Sequence, residues 1–395
     1  MPSSWKVVSL EDVTDPSAPI RYGVVQIGPD TPDGVPIIPI KHIGRINDAT
    51  LHCASPDIEA AYTGSRVKGG DVLISVKGTI GDVGVVPTGF EGNIAREIAR
   101  IRPNSDCDAD FLSFQLQSDH TQRRIDSKVV GSTRLEFSIH AVRDFLIALP
   151  PLPEQRKIAE ILRIWDEAIE KLEALRAAKE RRLETLRDAL LFEGLRIGEV
   201  RRNRPMRRIG EVTRELTARN GDGALGRDLV MGVTNSRGIV PMREQTVADD
   251  IGRYKKLPPL AFAYNPMRIN VGSIAMNSGN RTVLVSPDYV VFACDEDGIE
   301  PGYLDHLRQT RWWLHHINSG GSGSVRQRTY YADLAALHLP LHDLGEQREI
   351  VKVLNTAKAD VAASAELGET LARQKRGLMQ KLLTGEWRVK SGEGP

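Results

Sequence analysis

Polar side chains of the types that contact nucleic acids recur in loops at equivalent places in the two halves of this 395-residue chain. Lysine, arginine, threonine and asparagine donate hydrogen bonds to phosphate oxygens, and arginine and asparagine also suit bidentate reading of base edges. Each such residue alone is more often an ordinary surface residue, but their recurrence favours a DNA-contacting role. The candidates are Lys41, Arg45, Lys77, Thr79, Thr133, Arg134, Thr234, Asn235, Arg237, Arg268, Asn270 and Arg326.

Motifs for catalysis are absent or incomplete. The chain has no Gly-x-x-x-x-Gly-Lys-Ser/Thr phosphate loop, no His-Glu-x-x-His and no Gly-x-Ser-x-Gly. The glycine-rich residues 78–84 have the wrong spacing for a dinucleotide loop, and residues 265–268 begin like the Asn-Pro-Pro-aromatic motif of amino-methylating DNA methyltransferases but lack its second proline and its aromatic residue. His306, His315 and His316 have no carboxylate or cysteine at ligand spacing. We predict no catalytic residue and no metal site.

A long helix stands between the two sets of loops. Residues 154–192 contain no glycine or proline, while Pro150, Pro151 and Pro153 precede them and Gly194 follows. The segment carries 9 basic and 9 acidic residues, which predicts solvated faces with ion pairs, and as a helix it would be roughly 58 Å long. Such a rod is typical of a spacer.

The same chain supplies a partner for this helix. A shift of 192 residues relates Glu154-Gln155-Arg156 to Glu346-Gln347-Arg348, and it also relates residues 131–134 to 323–326. This is the pattern of a duplicated domain plus helix. Apolar residues at heptad spacing predict an antiparallel pair, interrupted by Arg176 and Lys179 in the first helix. The residues expected to form a subunit interface are Leu162, Trp165, Ile169, Leu172, Leu183, Leu186, Leu354, Val361, Leu371 and Leu378.

Composition bounds the class of protein. The counts of 53 Lys and Arg and 52 Asp and Glu leave a net charge of +1, so any DNA-binding surface must be local. Three dispersed cysteines argue against a disulfide framework. There is no apolar run of membrane-spanning length and no leader after Met1, which makes a cytoplasmic location the expectation.

Each half outside the long helices has a mixed pattern, which predicts an α+β domain. Short extended runs alternate with turns, and helical patterns cover residues 111–125 in the first half and 302–317 in the second. We predict domains over residues 1–150 and 196–340, long helices over residues 151–195 and 341–387, and a C-terminal tail over residues 388–395.

The chain resembles the specificity subunit of type I restriction-modification systems. The resemblance is carried by residues 149–159, Leu-Pro-Pro-Leu-Pro-Glu-Gln-Arg-Lys-Ile-Ala, at the entry to the long helix. The second copy, residues 339–348, departs from this pattern with His342-Asp343-Leu344-Gly345 where prolines stand in the first. The resemblance extends over nearly the whole chain.

The resemblance implies two target recognition domains separated by two long antiparallel coiled-coil helices with pseudo-twofold symmetry, each domain reading one half of a split double-stranded DNA sequence. It also implies a non-catalytic chain whose helices hold two methyltransferase subunits, which restriction subunits join. S-adenosylmethionine, ATP and Mg²⁺ are expected in those partners, and no cofactor is expected in this chain. Membrane partners are not expected.

Other functions remain open at this point. The analogous subunit of a type II enzyme that cuts on both sides of a split site would share these features. A coiled-coil scaffold that does not read DNA would explain the helices but not the duplicated domains. An enzyme would need a cofactor loop and a catalytic dyad, and neither is visible in the sequence.

Overall fold

The computed structural model describes residues 2, 4–47, 49–129, 135–193, 205–221, 223–235, 237–243, 246–319 and 328–389. The chain divides into two compact units. Unit 1 comprises residues 1–173 and 366–395, and unit 2 comprises residues 174–365. The division falls within both long helices, so each helix contributes one part to each unit. The compact units therefore do not coincide with the predicted domains and long helices, whose division by function stays a prediction.

Unit 1 is built from short strands and helices followed by the first long helix. Its strands are β1 (Lys6–Ser9), β2 (Arg21–Tyr22), β3 (Val35–Ile38), β4 (His52–Ala54), β5 (Val67–Lys68), β6 (Val72–Ser75), β7 (Val83–Val85), β8 (Glu91–Ile94), β9 (Ile98–Ile101) and β10 (Leu146–Leu149). Its helices are α1 (Pro56–Glu59), α2 (Ala109–Gln117), α3 (Asp119–Asp126), α4 (Ile139–Arg143) and the start of α5 (Leu152–Asp188).

The strands of unit 1 form three sheets. One is antiparallel with the order β2-β9-β6-β7, and another has the order β4-β3-β8-β5, in which only β3 and β8 are parallel. Strands β1 and β10 pair separately, with Lys6 opposite Leu149. This last pair ties the beginning of the chain to the strand that leads into α5.

Unit 2 repeats much of this plan. Its strands are β11 (Met206–Arg208), β12 (Thr213–Glu215), β13 (Met231–Thr234), β14 (Gly238–Pro241), β15 (Lys255–Leu257), β16 (Phe262–Tyr264), β17 (Ile274–Met276), β18 (Val283–Val285), β19 (Val290–Cys294) and β20 (His338–Pro340). Its helices are α6 (Pro301–Leu307), α7 (Arg311–Ser319), α8 (Tyr331–Ala335) and the start of α9 (Leu344–Leu383). Helix α5 continues as a π-helical turn over Ala189–Glu193.

The antiparallel sheet β12-β19-β16-β17 of unit 2 has the same strand order as β2-β9-β6-β7 of unit 1. Strands β11 and β20 pair as β1 and β10 do. Two further pairs, β13 with β14 and β15 with β18, complete unit 2.

Each predicted short helix is divided in two. Residues 111–125 fall in α2 and α3 because the Ser118 hydroxyl caps the second helix, accepting a hydrogen bond from the Thr121 amide at 3.3 Å. Thr310 has the same role between α6 and α7, accepting from the Trp313 amide at 3.2 Å. Residues 118 and 310 are again 192 apart, so the interruption belongs to the repeat.

The long helices complete both cores. In unit 1, Ile158 and Leu162 of α5 and Leu382 of α9 pack with Trp5 and Phe111. In unit 2, Leu183 and Leu190 near the end of α5 and Leu354 of α9 pack around Phe262 and Trp313. Burial against a domain core therefore holds the helix ends in place.

The two glutamines at the helix starts make equivalent hydrogen bonds. Gln155 Oε1 accepts from the Asp108 amide at 2.8 Å, and Gln347 Oε1 accepts from the Glu300 amide at 2.8 Å. Each Nε2 also donates, at 2.8 Å, to the carbonyl oxygen five residues earlier in the chain. All these positions differ by 192, so the Glu-Gln-Arg repeat marks a fixed joint between a long helix and its domain.

The two long helices run antiparallel. In unit 1, Asp166 of α5 pairs with Lys375 of α9, and Leu172 lies beside Gly368. Residue numbers therefore increase along α5 while the numbers of the facing residues decrease along α9. The prediction of an α+β protein with a pseudo-twofold repeat and two long antiparallel helices is confirmed. Within the described part of the chain, no helix is long and apolar enough to cross a membrane.

Candidate nucleic-acid interface

Four of the predicted contact residues lie in equivalent loops of the two units. Lys77 and Thr79 are in the loop between β6 and β7, and Arg268 and Asn270 are in the loop between β16 and β17. Each loop joins the last two strands of the matching four-stranded sheets. Thr79, Arg268 and Asn270 are exposed, and Lys77 is partly exposed.

A second segment of unit 1 packs beside its loop. Lys41 lies in the 3-10 turn Ile40–His42, and Arg45 follows it. A Cβ atom added to Gly84 would lie 2.2 Å from the Ile43 carbonyl oxygen, so this close approach requires glycine. The segment that carries Lys41 and Arg45 is therefore fixed against β7.

The β13–β14 hairpin has the corresponding position in unit 2. It carries Thr234, Asn235 and Arg237, of which the last two are exposed. A Cβ atom added to Gly272 in the β16–β17 loop would lie 2.5 Å from Asn235 Oδ1. Gly272 also has a φ of +86°, which favours glycine. The structure thus brings Asn235 of the hairpin onto the loop that carries Arg268 and Asn270.

A third segment reaches each loop through one backbone hydrogen bond. The Phe137 amide donates to the Val76 carbonyl oxygen at 2.9 Å, and the Thr329 amide donates to the Pro266 carbonyl oxygen at 3.0 Å. Positions 137 and 329 are 192 apart, so the contact is part of the repeat. Three predicted contact residues lie outside the described residues: Thr133, Arg134 and Arg326.

Unit 1 has a cleft of about 650 Å³ beside Lys77. Lys77 Nζ lies 3.3 Å from Glu136 Oε1 and 4.4 Å from the centre of the Tyr22 ring. The Tyr22 hydroxyl donates to the same Oε1 at 2.5 Å. Val25 and Leu135, both half exposed, line the same cleft. The cleft therefore presents two cations, Lys77 and Arg96, two carboxylates, Glu97 and Glu136, and two aliphatic side chains.

The pKa values in this cleft follow from these contacts. Burial, and then the hydrogen bond to Glu136, raise the pKa of Tyr22 to about 12. The hydrogen bond from Tyr22, with a smaller contribution from Lys77, lowers the pKa of Glu136. At neutral pH the tyrosine is protonated and the carboxylate is charged. Sequence reasoning missed Tyr22 and Glu136 because they are 114 positions apart and neither belongs to a motif.

Unit 2 has a more basic and amide-rich cleft of about 740 Å³. Asn235, Arg237 and Asn270 line one part, and Arg308 and Lys358 line another. Sequence reasoning missed Arg308 and Lys358, since Arg308 lies just beyond α6 and Lys358 lies on α9, far from the predicted loops.

Asp305 holds these two cations at the base of the unit 2 cleft. Arg308 donates twice to Asp305 Oδ1, at 2.9 and 2.6 Å, and Lys358 Nζ is 3.5 Å from Oδ2. Burial alone would raise the pKa of Asp305, but Arg308 and Lys358 hold that pKa below its usual value. The carboxylate is therefore charged at neutral pH, and it fixes the orientation of the Arg308 guanidinium.

The histidines have structural surroundings. His306 is buried, accepting from Arg187 at 3.4 Å and contacting Asn355 Oδ1 at 2.9 Å through its other ring nitrogen. His316 stacks on Trp312 with ring centres 3.9 Å apart, and its neighbour His315 is exposed. Among the described residues, no group of three or more His, Cys, Asp or Glu side chains is placed to hold a metal ion.

The apolar residues predicted for a subunit interface pack largely within the chain. Leu162, Leu183 and Leu354 are only 0, 7 and 0% exposed, so the chain's own cores already cover them. The other seven are partly buried: Trp165, Ile169, Leu172, Leu186, Val361, Leu371 and Leu378. Their role toward another subunit stays a prediction.

A cation that interrupts the predicted seam has a partner on the facing helix. Lys179 Nζ lies 2.7 Å from Asp360 Oδ1 and 3.0 Å from the Ser364 hydroxyl, all within unit 2. An exposed ion pair of this kind contributes little stability, about 0.2 to 1 kcal/mol, but it fixes which residues face each other.

Residues 2–179 match the family described as type I restriction modification DNA specificity domain. These residues, which make up less than half of the chain, are similar to that family. The EcoBI type I specificity subunit of Escherichia coli is 30% identical over 177 residues, which are 43% of this chain and 37% of that protein. The aligned region thus spans little more than a third of that relative. The predicted resemblance to type I specificity subunits is confirmed.

Solved structures share the fold over almost the whole chain. The HsdS subunit from Thermoanaerobacter tengcongensis has a TM-score of 0.50 at 19% identity, with 98% of each chain covered. The type I S subunit from M. genitalium has a TM-score of 0.57 at 13% identity, with 96% of each covered. A chain from a study of complex assembly in a type I R-M system has a TM-score of 0.59 at 21% identity, with 98 and 99% covered.

Proposed function

We propose that this chain is the DNA sequence-recognition subunit of a type I restriction-modification system, with one half of a split target read by each unit. The observation that carries the proposal is the equivalent pair of loops, each beside a second polar segment. Thr79, Arg268 and Asn270 are exposed there, and their side chains make no hydrogen bond or ion pair with the described residues. Such side chains are available for bases and phosphates.

The two clefts differ in chemistry, which supports different half-sites. A carboxylate such as Glu136 in unit 1 can accept a hydrogen bond from an exocyclic amino group, which cytosine N4 provides. The asparagines and arginines of the unit 2 cleft suit adenine and guanine edges, respectively. In this proposal the target recognition domains are residues 1–150 and 196–340, the spacer helices are residues 151–195 and 341–387, and residues 388–395 form a tail.

In the same proposal the chain itself catalyses nothing and docks two methyltransferase subunits along its helices. Three half-exposed aliphatic side chains are available for docking: Ile164 and Leu367 in unit 1 and Leu175 in unit 2. S-adenosylmethionine, ATP and Mg²⁺ would bind the methyltransferase and restriction subunits.

Docking can be tested with Leu175→Asp. This change should reduce co-purification of the methyltransferase without unfolding the chain, because Leu175 is already half exposed. The matched control is Ala174→Asp, at an exposed position next to Leu175 that faces another side of the same helix. Equal recovery of the methyltransferase with both variants and the native chain would rule out docking through Leu175.

DNA reading can be tested with the complex of this chain and its methyltransferase. Binding is measured on duplexes that carry both half-sites, one half-site with the other scrambled, or neither. We expect selectivity to fall in two separable steps, and we expect affinity to decrease as salt increases because phosphates are contacted. Equal affinity for all four duplexes at every salt concentration would overturn the proposal.

A further inference from the structure

The β16–β17 loop of unit 2 is anchored at two buried positions. Pro266 is buried, and Ile269 belongs to the unit 2 core. Two backbone hydrogen bonds also constrain the loop: the Arg268 amide donates to the Asn265 carbonyl oxygen at 2.9 Å, and the Ser273 amide donates to the Arg268 carbonyl oxygen at 3.0 Å. The loop therefore presents its remaining side chains from a constrained backbone.

Two of the presented side chains are apolar. Met267 is 50% exposed and Val271 is 57% exposed, and they flank Arg268 and Asn270. Neither belongs to the described cores or their partly buried shells, so folding gains little from their apolar character. A loop selected only for phosphate contacts would have no use for two exposed aliphatic side chains on either side of its polar ones.

Base edges in the major groove offer one apolar group, the C5-methyl of thymine, whereas their other features are hydrogen-bond donors and acceptors. Because Arg268 and Asn270 suit guanine and adenine, the loop combines purine-reading side chains with methyl-contacting ones. We propose that Met267 and Val271 select thymine in the half-site read by unit 2, by packing on its C5-methyl group. This inference rests on the proposed function and assigns it a base.

A protein partner is the main competing explanation, since exposed aliphatic side chains also serve protein interfaces. The position of the loop favours DNA. Asn235, whose side chain approaches Gly272 of this loop, is itself exposed and polar, and Val271 lines the same cleft as Asn235, Arg237 and Asn270. An apolar protein contact would bury these polar groups without providing evident partners.

The test removes the methyl group from the DNA and the side chains from the protein. Deoxyuridine replaces thymine at each position of the second half-site in turn, and affinities are measured for the native complex and for Met267→Ala, Val271→Ala and the double variant. Loss of a packed methyl group should weaken the native complex about fourfold at one position or two adjacent positions. The double variant should bind thymine and deoxyuridine duplexes equally well.

Leu260→Ala is the matched control. Leu260 is half exposed and lies at the other end of β16, where its amide donates to the Asn277 carbonyl oxygen. This variant should keep the full fourfold penalty for deoxyuridine.

The outcomes separate this inference from the proposed function. Absence of any sequence selectivity in the native complex would refute the function itself. Selective binding with a second half-site that lacks thymine, or with an equal deoxyuridine penalty in native and double-variant complexes, would refute the methyl contact alone. Loss of methyltransferase assembly by the double variant, with the deoxyuridine penalty intact, would assign the two side chains to a protein interface instead.

Discussion

Replacing Gln155 with alanine should selectively destabilise unit 1. Gln155 is completely buried, and its amide makes three hydrogen bonds: from the Asp108 amide at 2.8 Å, to the Asp106 carbonyl oxygen at 2.9 Å and to the Pro150 carbonyl oxygen at 2.8 Å. At about 1 kcal/mol for each net bond, the variant should lose about 3 kcal/mol. For a unit of this size, that corresponds to a decrease in Tm of roughly 6 to 12 °C.

Gln347→Ala provides the matched comparison in unit 2. Gln347 is 1% exposed and makes two equivalent hydrogen bonds, to Glu300 and His342, so its loss should cost about 2 kcal/mol. Peptide-resolved native-state hydrogen exchange can follow β1 and β10 for unit 1 and β11 and β20 for unit 2. Gln155→Ala should mainly deprotect the first pair and Gln347→Ala the second. A loss below about 0.5 kcal/mol in both variants, or equal deprotection of both pairs, would refute the assignment of these glutamines as helix-to-domain joints.

Three further predictions concern the helices, pH and spacing. Gly377→Ala adds a Cβ atom to open space on α9, so it should raise the free energy of unfolding by about 1 kcal/mol in chemical denaturation. Gly302→Ala would place its Cβ atom 2.7 Å from Val351 Cγ1, so it should lower that free energy. A destabilising Gly377→Ala together with a stabilising Gly302→Ala would contradict the packing around these two glycines. Burial and the nearby cations Arg187 and Lys358 lower the pKa of His306 to about 4, although the hydrogen bond to Asn355 and the charge of Asp305 act in the opposite direction. An unfolded histidine titrates near 6.5. Between about pH 6.5 and 4 only the unfolded state binds the proton of His306, so unit 2 should lose stability as the pH falls through this range. Hydrogen exchange should show this loss, and the His306→Gln variant should lose less stability over the same range. Inserting four helix-forming residues near Ala177 adds about 6 Å of helix and should widen the unspecified gap of the target by about one or two base pairs; an unchanged gap with full activity would refute α5 as the element that sets the spacing.

The sequence predicts the elements that depend on local pattern and repeat. The shift of 192 residues identifies both long helices, because the Glu-Gln-Arg triplet near the start of each can be read directly from the sequence. The prolines before the first triplet mark where the first helix begins. The shift also places Lys77 and Arg268 in matching loops. The chemistry of those loops is less accessible, because Tyr22 and Glu136 meet Lys77 only after the β-sheet forms.

The heptad pattern gives an incomplete account of the helices. Leu162 fits a coiled-coil seam, but it is fully buried because the domain core of unit 1 packs on it. A seven-residue spacing does not reveal whether the covering surface is another helix or a domain. Similarly, Lys179 interrupts the apolar seam in sequence, and only the structure shows Asp360 opposite it.

The central claim, that two units read two half-sites independently, is tested most directly by mapping methylated adenines in cells that express this chain with its methyltransferase. The native chain should give one split motif with a fixed gap. The double variant Arg268→Ala and Asn270→Ala should relax the sequence specificity at one half-site of the motif only. Thr79→Ala should change the specificity at the other half-site only. A continuous motif, or a change in both halves caused by the unit 2 variant alone, would contradict the account.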